Sequence, residues 1–297
     1  MTELTFIIIT YNSAKIIDFA LSKINTDKYN IIIVDNGSSD ATLKIIKAKY
    51  PNILLIENKQ NIGFARANNL GFKQVKTEFF ALLNPDCILD ESSILKLIKV
   101  IKSENNIALA GAEAFGANIN DNLEISNINP DNIAIKNYLK EDKLYFTTKF
   151  ISGCFMLGKT AIFKEIGLFN AGFFLYCEDN ELCKRVKKNN YEIIVVKATQ
   201  QIHFSGKSVA QKSNKLVKAI NWHKYGYSKC YYTECVHNRF IAKLRALRNI
   251  IKLLVILIFR IMSFKKLNNK EIAIISGSFA YLIGQSAFTK NGNPRKF

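Results

Sequence analysis

The chain is expected to form an α/β domain on a doubly wound, mostly parallel sheet, followed by a basic helical extension. Three observations lead there. Short apolar runs alternate with helical patterns from Leu4 to Val196, the rhythm of repeated βαβ units. The runs are continuous, as in Ile31-Ile32-Ile33-Val34, which fits strands covered on both faces. Charge is partitioned: residues 1–192 carry 23 basic and 22 acidic side chains, whereas residues 193–297 carry 19 basic and two acidic, Glu234 and Glu271. The tail thus holds +17 of the net charge of +18, a signature of attraction to a polyanion.

Leu4–Thr10 reads as the first strand, ended by Tyr11-Asn12-Ser13, with Ser13 placed to cap a helix to about Lys23. The second strand, Ile31–Val34, closes on Asp35-Asn36-Gly37-Ser38-Ser39-Asp40. These are turn formers, and Asp40 can cap the helix Ala41–Lys49. Ile53–Ile56 is a third strand, and Asn61–Gly71 opens a helix that reaches about Val75. The fourth, Glu78–Leu83, stops at Asn84-Pro85-Asp86. Pro85 has no N–H for a ladder and turns Asn84 away from helical geometry. A helix over Ser92–Ile101 and a strand over Ile107–Ala112 follow. Residues 113–149, rich in Asn, Asp and Lys, read as an irregular insertion placed to cover a site. Phe150–Leu157 is a strand, Thr160–Ile166 a helix ending at Gly167, Glu178–Lys188 a helix and Tyr191–Val196 the last strand. The domain boundary is placed at 210, with the extension over 211–297.

Other classes are disfavoured by what is missing. No Gly-x-Gly-x-x-Gly follows the first strand and no Walker pattern occurs, which argues against a dinucleotide or P-loop site. The six cysteines form no Cys-x-x-Cys and read as reduced thiols of a cytoplasmic protein. Met-Thr-Glu-Leu-Thr has no basic n-region, so no signal peptide is expected. Parallel topology puts the loops after Thr10, Val34 and Leu83 on one sheet edge, where open α/β sheets bind ligands. A carboxylate there, such as Asp35, can accept from a base N–H or a ribose hydroxyl. Asp86 is a candidate to hold a divalent metal on a nucleotide diphosphate, although the turn alone reads more simply as a helix-capping aspartate.

Several short motifs occur in order: Thr10-Tyr11-Asn12, Val34-Asp35-Asn36-Gly37-Ser38-Ser39-Asp40, Asn61-Ile62-Gly63-Phe64-Ala65-Arg66-Ala67-Asn68-Asn69 and Asn84-Pro85-Asp86. Gly153, Phe174-Leu175-Tyr176-Cys177-Glu178-Asp179 and His203-Phe204-Ser205-Gly206-Lys207-Ser208 follow. Over about residues 4–210 the chain resembles the inverting family 2 glycosyltransferases of GT-A fold, in their rhamnosyltransferase-like branch. The resemblance implies that Thr10, Tyr11 and Asp35 line the base pocket, with Asp35 accepting from a ring N–H. It places Asn61, Gly63, Ala65, Arg66 and Asn69 in a second donor-contacting segment, where Gly63 lets backbone approach the nucleotide and Arg66 reaches a phosphate. Asn84-Pro85-Asp86 stands where many members have Asp-x-Asp. One anionic ligand is lost, so Asp86 would hold Mg²⁺ or Mn²⁺ while Asn84 contacts ribose or sugar. His203 is the implied second metal ligand. Lys207 and Ser208 would face the diphosphate. Asp179 is the implied general base, with Glu178 orienting the acceptor or its loop. Read locally, both acids also suit a helix N-terminus.

The tail adds a surface. From Arg239 to Lys270 there are nine basic residues and no acid. Arg245, Arg248 and Lys252 share helical spacing, and Leu244, Leu247, Ile251, Leu254 and Ile258 share another face. This reads as an amphipathic helix lying on an anionic membrane, with packing on the catalytic domain or in a homodimer as the alternative. Leu253–Phe259 is too short to span a bilayer, and Ile272–Thr289 is broken by Ser276, Gly277, Ser278, Gln285 and Ser286. No nucleic-acid motif is present, so that polyanion is not expected. The sequence thus predicts a metal-dependent glycosyltransferase, peripheral on the inner face of the cytoplasmic membrane. It would move a sugar, L-rhamnose from dTDP-rhamnose first, to a lipid-linked or growing surface polysaccharide. A UDP-hexose or UDP-N-acetylhexosamine donor is the alternative. A non-catalytic sugar-nucleotide-binding module is the other, against which the presence of both Asp86 and Asp179 speaks.

Overall fold

Ten strands form one sheet in the order β3-β2-β1-β4-β9-β6-β10-β5, with β7 paired to β6 and β8 to β10. The computed structural model describes residues 3–119, 125–130, 143–204, 219–262, 269–289 and 295. The strands β1 (Leu4–Thr10), β2 (Asn30–Asp35), β3 (Leu54–Glu57) and β4 (Phe79–Leu83) run parallel. β9 (Phe155–Lys159) is antiparallel to β4 and to β6 (Ile107–Ile119), and β10 (Glu192–His203) is parallel to β6. The register sets Thr10 beside Asp35 and Ile8 beside Leu83. The ends of β1, β2 and β4 therefore share one edge, as the βαβ rhythm predicts. Phe6, Ile8, Ile33, Phe79, Ala81, Leu97 and Ile101 are buried in the main core, which accounts for unbroken apolar strands.

The helices sit near their expected places: α1 (Ile17–Ser22), α2 (Thr42–Lys49), α3 (Phe64–Phe72), α4 (Glu91–Ser103), α5 (Thr160–Ile166) and α6 (Glu178–Lys188). α1 starts later than a Ser13 cap implies, with Ile16 at the cap and no side-chain bond there. α2 has Ala41 at its cap with no side-chain bond there, and Asp40, one residue earlier, accepts from the Thr42 amide at 3.0 Å. Asp90 caps α4 by accepting from the Ser93 amide.

Two expectations are corrected. Residues 113–149 are not simply irregular: β6 continues to Ile119, β7 (Ile125–Pro130) returns antiparallel against it, and β8 (Tyr145–Thr147) pairs with β10. Small and Asn-rich segments have little β propensity of their own, and the partner strand supplies the order. β10 also runs past Val196. It crosses an irregularity between Val196 and Gln201 where Ala198 adopts φ +53°, then pairs with the three-residue β5 (Cys87–Leu89). His203 is thus the last residue of a strand rather than part of the following loop. All six cysteines are free thiols.

Contacts divide the chain into two compact units that interleave in sequence. One comprises 1–60, 67–168 and 182–210; the other comprises 61–66, 169–181 and 211–297. The second holds a π-helical turn (Trp222–Tyr227) continued by α7 (Ser228–Val236), then α8 (Arg239–Met262) and α9 (Asn269–Leu282). Its core gathers Trp222, Tyr227, Cys230, Ala242, Ala246, Ala273, Ala280, Tyr281 and Phe288. Gly226 and Gly277 meet closely: a Cβ on Gly277 would lie 2.8 Å from the Gly226 Cα. No helix among the described residues is long and apolar enough to cross a membrane.

Candidate active site

In the sheet unit the site begins at the ends of β1 and β2. Asp35 is fully buried and its carboxylate is saturated. Oδ1 accepts from the Gly37 and Ser38 amides at 3.1 and 2.8 Å, and Oδ2 from the Thr10 and Ser38 hydroxyls at 2.8 and 2.6 Å. Those four donors fill the lone pairs of a carboxylate. A base N–H could reach Asp35 only by displacing one of them. In this arrangement Asp35 holds together the loop that follows β2. Thr10 is buried with it, while Tyr11 is half-buried at the rim. Asn12 adopts φ +52° and accepts from the Ser39 amide at 2.8 Å, joining the two loops.

The Asn-Pro-Asp turn is held from both sides. The Asn84 amide donates to the Cys154 carbonyl at 2.9 Å, and the Cys87 amide donates back to the Asn84 carbonyl at 3.0 Å. The pairing of β5 with β10 then sets His203 opposite Cys87, and the Phe204 amide donates to the Asp86 carbonyl at 2.8 Å. As a result His203 Nε2 lies 3.5 Å from Asp86 Oδ1, with Asp86 1% exposed and His203 24%. Two ligands at right angles on an octahedral ion with bonds of about 2.1 Å lie about 3 Å apart. The pair therefore fits as two ligands of one divalent cation. No cluster of three or more metal-ligating side chains occurs among the described residues, so any such ion must draw its other ligands from elsewhere. Lys207 and Ser208 lie outside the described residues.

In the second unit, residues 61–66 meet 169–178. Asn61 accepts from the Gly63 amide at 2.9 Å, and Gly63 takes φ +89°. A Cβ there would come within 2.6 Å of the Phe174 carbonyl oxygen, and the Phe64 amide donates to that oxygen at 2.8 Å. Within the chain, the close approach at Gly63 is to Phe174. Arg66 makes two contacts in this unit. Its Nε donates to the Ala171 carbonyl at 2.9 Å and its guanidinium lies 3.3 Å over the Phe288 ring, so it braces this segment from inside the unit. In the sequence Ala65 is fully buried and Asn69 half-buried.

Tyr176 and Cys177 adopt φ of +68° and +70° directly before α6, a left-handed geometry that costs an L residue about 1–2 kcal/mol. Glu178 follows, 5% exposed, with no hydrogen-bond partner for Oε2. Burial, then the charge of Asp179, pushes its pKa to about 8. Asp179 is half-exposed and accepts from the Asn180 amide at 2.8 Å. The two adjacent acids therefore sit in different surroundings: Glu178 is buried, which favours its neutral form, and Asp179 is partly exposed. Ser228, which donates to the Leu175 carbonyl at 3.0 Å, has no local signal in the sequence.

The fold and these sites define a nucleotide-sugar type of α/β enzyme, and the comparisons agree. The chain belongs to glycosyl transferase family 2, whose sequence model matches residues 5–167. It is 26% identical over 239 residues to the rhamnosyltransferase WbbL of Escherichia coli K12, covering 73% of this chain and 88% of that one. It is 25% identical over 211 residues to the low-salt glycan biosynthesis hexosyltransferase Agl10 of Haloferax volcanii, covering 68% and 67%. Among solved structures, the mannosyltransferase PcManGT of Pyrobaculum calidifontis, in complex with GDP-Man and Mn²⁺, aligns with a TM-score of 0.57 at 15% identity over 95% of this chain and 85% of that one. S. aureus TarS 1–349 aligns with a TM-score of 0.53 at 16% identity over 96% and 92%.

Proposed function

We propose that this protein transfers a sugar from a nucleotide diphosphate donor, with inversion, to a lipid-linked or growing polysaccharide acceptor at the cytoplasmic face of a membrane. The observation that carries the reading is the convergence of Asp86 and His203 at the sheet edge that also bears the Thr10–Asp35 loops. Asp86 and His203 would hold the cation, and a carboxylate with an imidazole suits Mn²⁺ better than Mg²⁺. When bound, such an ion neutralises charge on the departing diphosphate. Asn84, half-buried beside them, would contact ribose or sugar, with Lys207 and Ser208 toward the phosphates. Asp179 would take the acceptor hydroxyl proton as that oxygen bonds to the anomeric carbon and the bond to the diphosphate breaks on the opposite side. Glu178, uncharged, would keep the second negative charge away from the attacking oxygen.

Similarity to the rhamnosyltransferase WbbL favours rhamnose as the sugar, with dTDP-rhamnose as the donor to test first. A UDP-N-acetylhexosamine or UDP-hexose is the second reading. It is favoured by 33% identity over 106 residues to the poly-beta-1,6-N-acetyl-D-glucosamine synthase of Staphylococcus aureus COL and by the likeness to TarS in complex with UDP. Calorimetric titration of dTDP-rhamnose, UDP-glucose, UDP-N-acetylglucosamine and GDP-mannose with Mn²⁺ present tests both. Binding of none of them refutes the proposal.

The membrane part rests on α8. Its large apolar side chains face out: Phe240, Leu244, Leu247, Ile251, Leu254, Val255, Phe259 and Met262 are 47–73% exposed. Its inner face is built from Ala242, Ala246 and Leu253. Lys243, Arg248 and Lys252 border the outer stripe and are exposed. A basic-edged apolar face of this kind lies in the headgroup region of an anionic bilayer.

A further inference from the structure

The turn that leads into Asp179 is gripped by the C-terminal helices. Tyr176 and Cys177, neither of them glycine, are both left-handed, so the turn persists only if its surroundings impose it. The surroundings come largely from the π-helical turn and α7. Ser228, fully buried, donates its hydroxyl to the Leu175 carbonyl at 3.0 Å. The Lys224 ammonium lies 5.1 Å over the Tyr176 ring. The Phe174 ring packs 4.7 Å from His223 and 5.9 Å from Phe288, and Phe173 meets Tyr231 edge-on at 4.8 Å. His223 is 1% exposed, neither ring nitrogen has a hydrogen-bond partner, and burial holds it neutral. It acts as a flat face for Phe174. On the far side of the turn, the Cys177 carbonyl accepts from the Glu181 amide at 3.0 Å and opens α6. π-Turns of this kind recur at functional sites because they re-aim side chains that a regular helix would direct elsewhere.

We propose that Ser228 and Lys224, with His223 as backing, are positioning residues for sugar transfer. They hold the left-handed Tyr176–Cys177 turn, and the turn sets where α6 begins and so where Asp179 points. The C-terminal helices are then part of the catalytic machinery as well as a surface. The inference rests on the reading of Asp179 as the base.

The test uses the full chain with Ser228→Ala and Lys224→Ala. Hydrogen exchange in residues 173–181 should quicken about fivefold in Ser228→Ala, the weight of one net hydrogen bond, with exchange in β1 and β4 unchanged. Release of nucleoside diphosphate from dTDP-rhamnose and from UDP-N-acetylglucosamine should fall by a similar factor in kcat. Donor KM should hold. Adding Cys177→Gly, which gives the left-handed position a residue that adopts it freely, should recover at least half of that loss. Unchanged exchange over 173–181 refutes the grip. Faster exchange with wild-type kcat refutes its link to transfer. A further loss on adding Cys177→Gly refutes the turn as the thing being held. If Asp179→Asn keeps full turnover, the base assignment fails, and the exchange result still decides whether the grip exists.

Discussion

Replacing Glu178 with Gln should stabilise the protein at neutral and alkaline pH and flatten its pH dependence. The carboxyl is 5% exposed, its Oε2 has no hydrogen-bond partner, and burial plus the neighbouring Asp179 charge lift its pKa from 4.5 to about 8. The unfolded chain ionises this group near 4.5 and the folded protein only near 8. Between those values unfolding releases a proton, so stability declines as pH rises, by at most about 1.4 kcal/mol per pH unit. Below pH 4.5 the penalty is absent, and above 8 it is complete. Over the whole window it reaches an upper bound of about 5 kcal/mol. Gln keeps the shape and cannot ionise, so this contribution vanishes. Urea midpoints at pH 5, 6.5 and 8 should show the variant gaining on the wild type at each step, by at most about 4 kcal/mol in all. A difference that stays constant from pH 5 to 8 would show that Glu178 is ionised in the folded protein. The reading of Glu178 as a neutral buried acid would then be wrong.

Asp179→Asn should cut nucleoside diphosphate release about 10²–10⁴-fold while calorimetric nucleotide affinity holds; lost binding instead would move Asp179 to the donor side. Asp86→Asn and His203→Gln should each weaken nucleotide binding in Mn²⁺ by about tenfold or more and have little effect in EDTA. Equal losses with and without metal would mean that the pair does not ligate it. Leu247→Gln with Ile251→Gln on α8 should abolish flotation with phosphatidylcholine–phosphatidylglycerol vesicles and leave the melting temperature unchanged. Retained flotation, or a wild-type dimer in light scattering that the variant loses, would assign the face to something other than lipid.

How far the sequence could be read depends on whether the signal was local. The end of β4 is announced by Pro85 and by the apolar run before it, and it falls at Leu83 as expected. β5 has no such signal. Cys87-Ile88-Leu89 is too short to show periodicity and becomes a strand only because Gln201-Ile202-His203 pairs with it. That pairing, more than the motif, brings His203 to Asp86. The sequence marks Gly63 and Arg66, and not the contacts they make inside the chain. The groups that demand them, Phe174, Ala171 and Phe288, lie more than a hundred residues away. Asp35 was legible as a loop-end carboxylate, but its saturation by Thr10, Gly37 and Ser38 is a property of the folded loop.

The tail shows the same division at larger scale. Its charge and its amphipathic spacing are plain in the sequence, and the usual inference would turn the large apolar residues of α8 inward. The structure turns Ala242 and Ala246 inward instead. Small residues recur at this packing: Ala273, Ala280 and the Gly226–Gly277 contact all belong to it, and they let helix backbones approach closely. Close packing leaves no room inside for Leu247 or Ile251. Folding of the chain does not consume their apolar area, at about 25 cal/mol per Å². A surface left over in this way, with basic residues along its border and no acid in α8, is the feature on which the proposed membrane contact rests. An anionic bilayer would supply both the apolar depth and the opposite charge, which is what the vesicle flotation of the α8 variant tests.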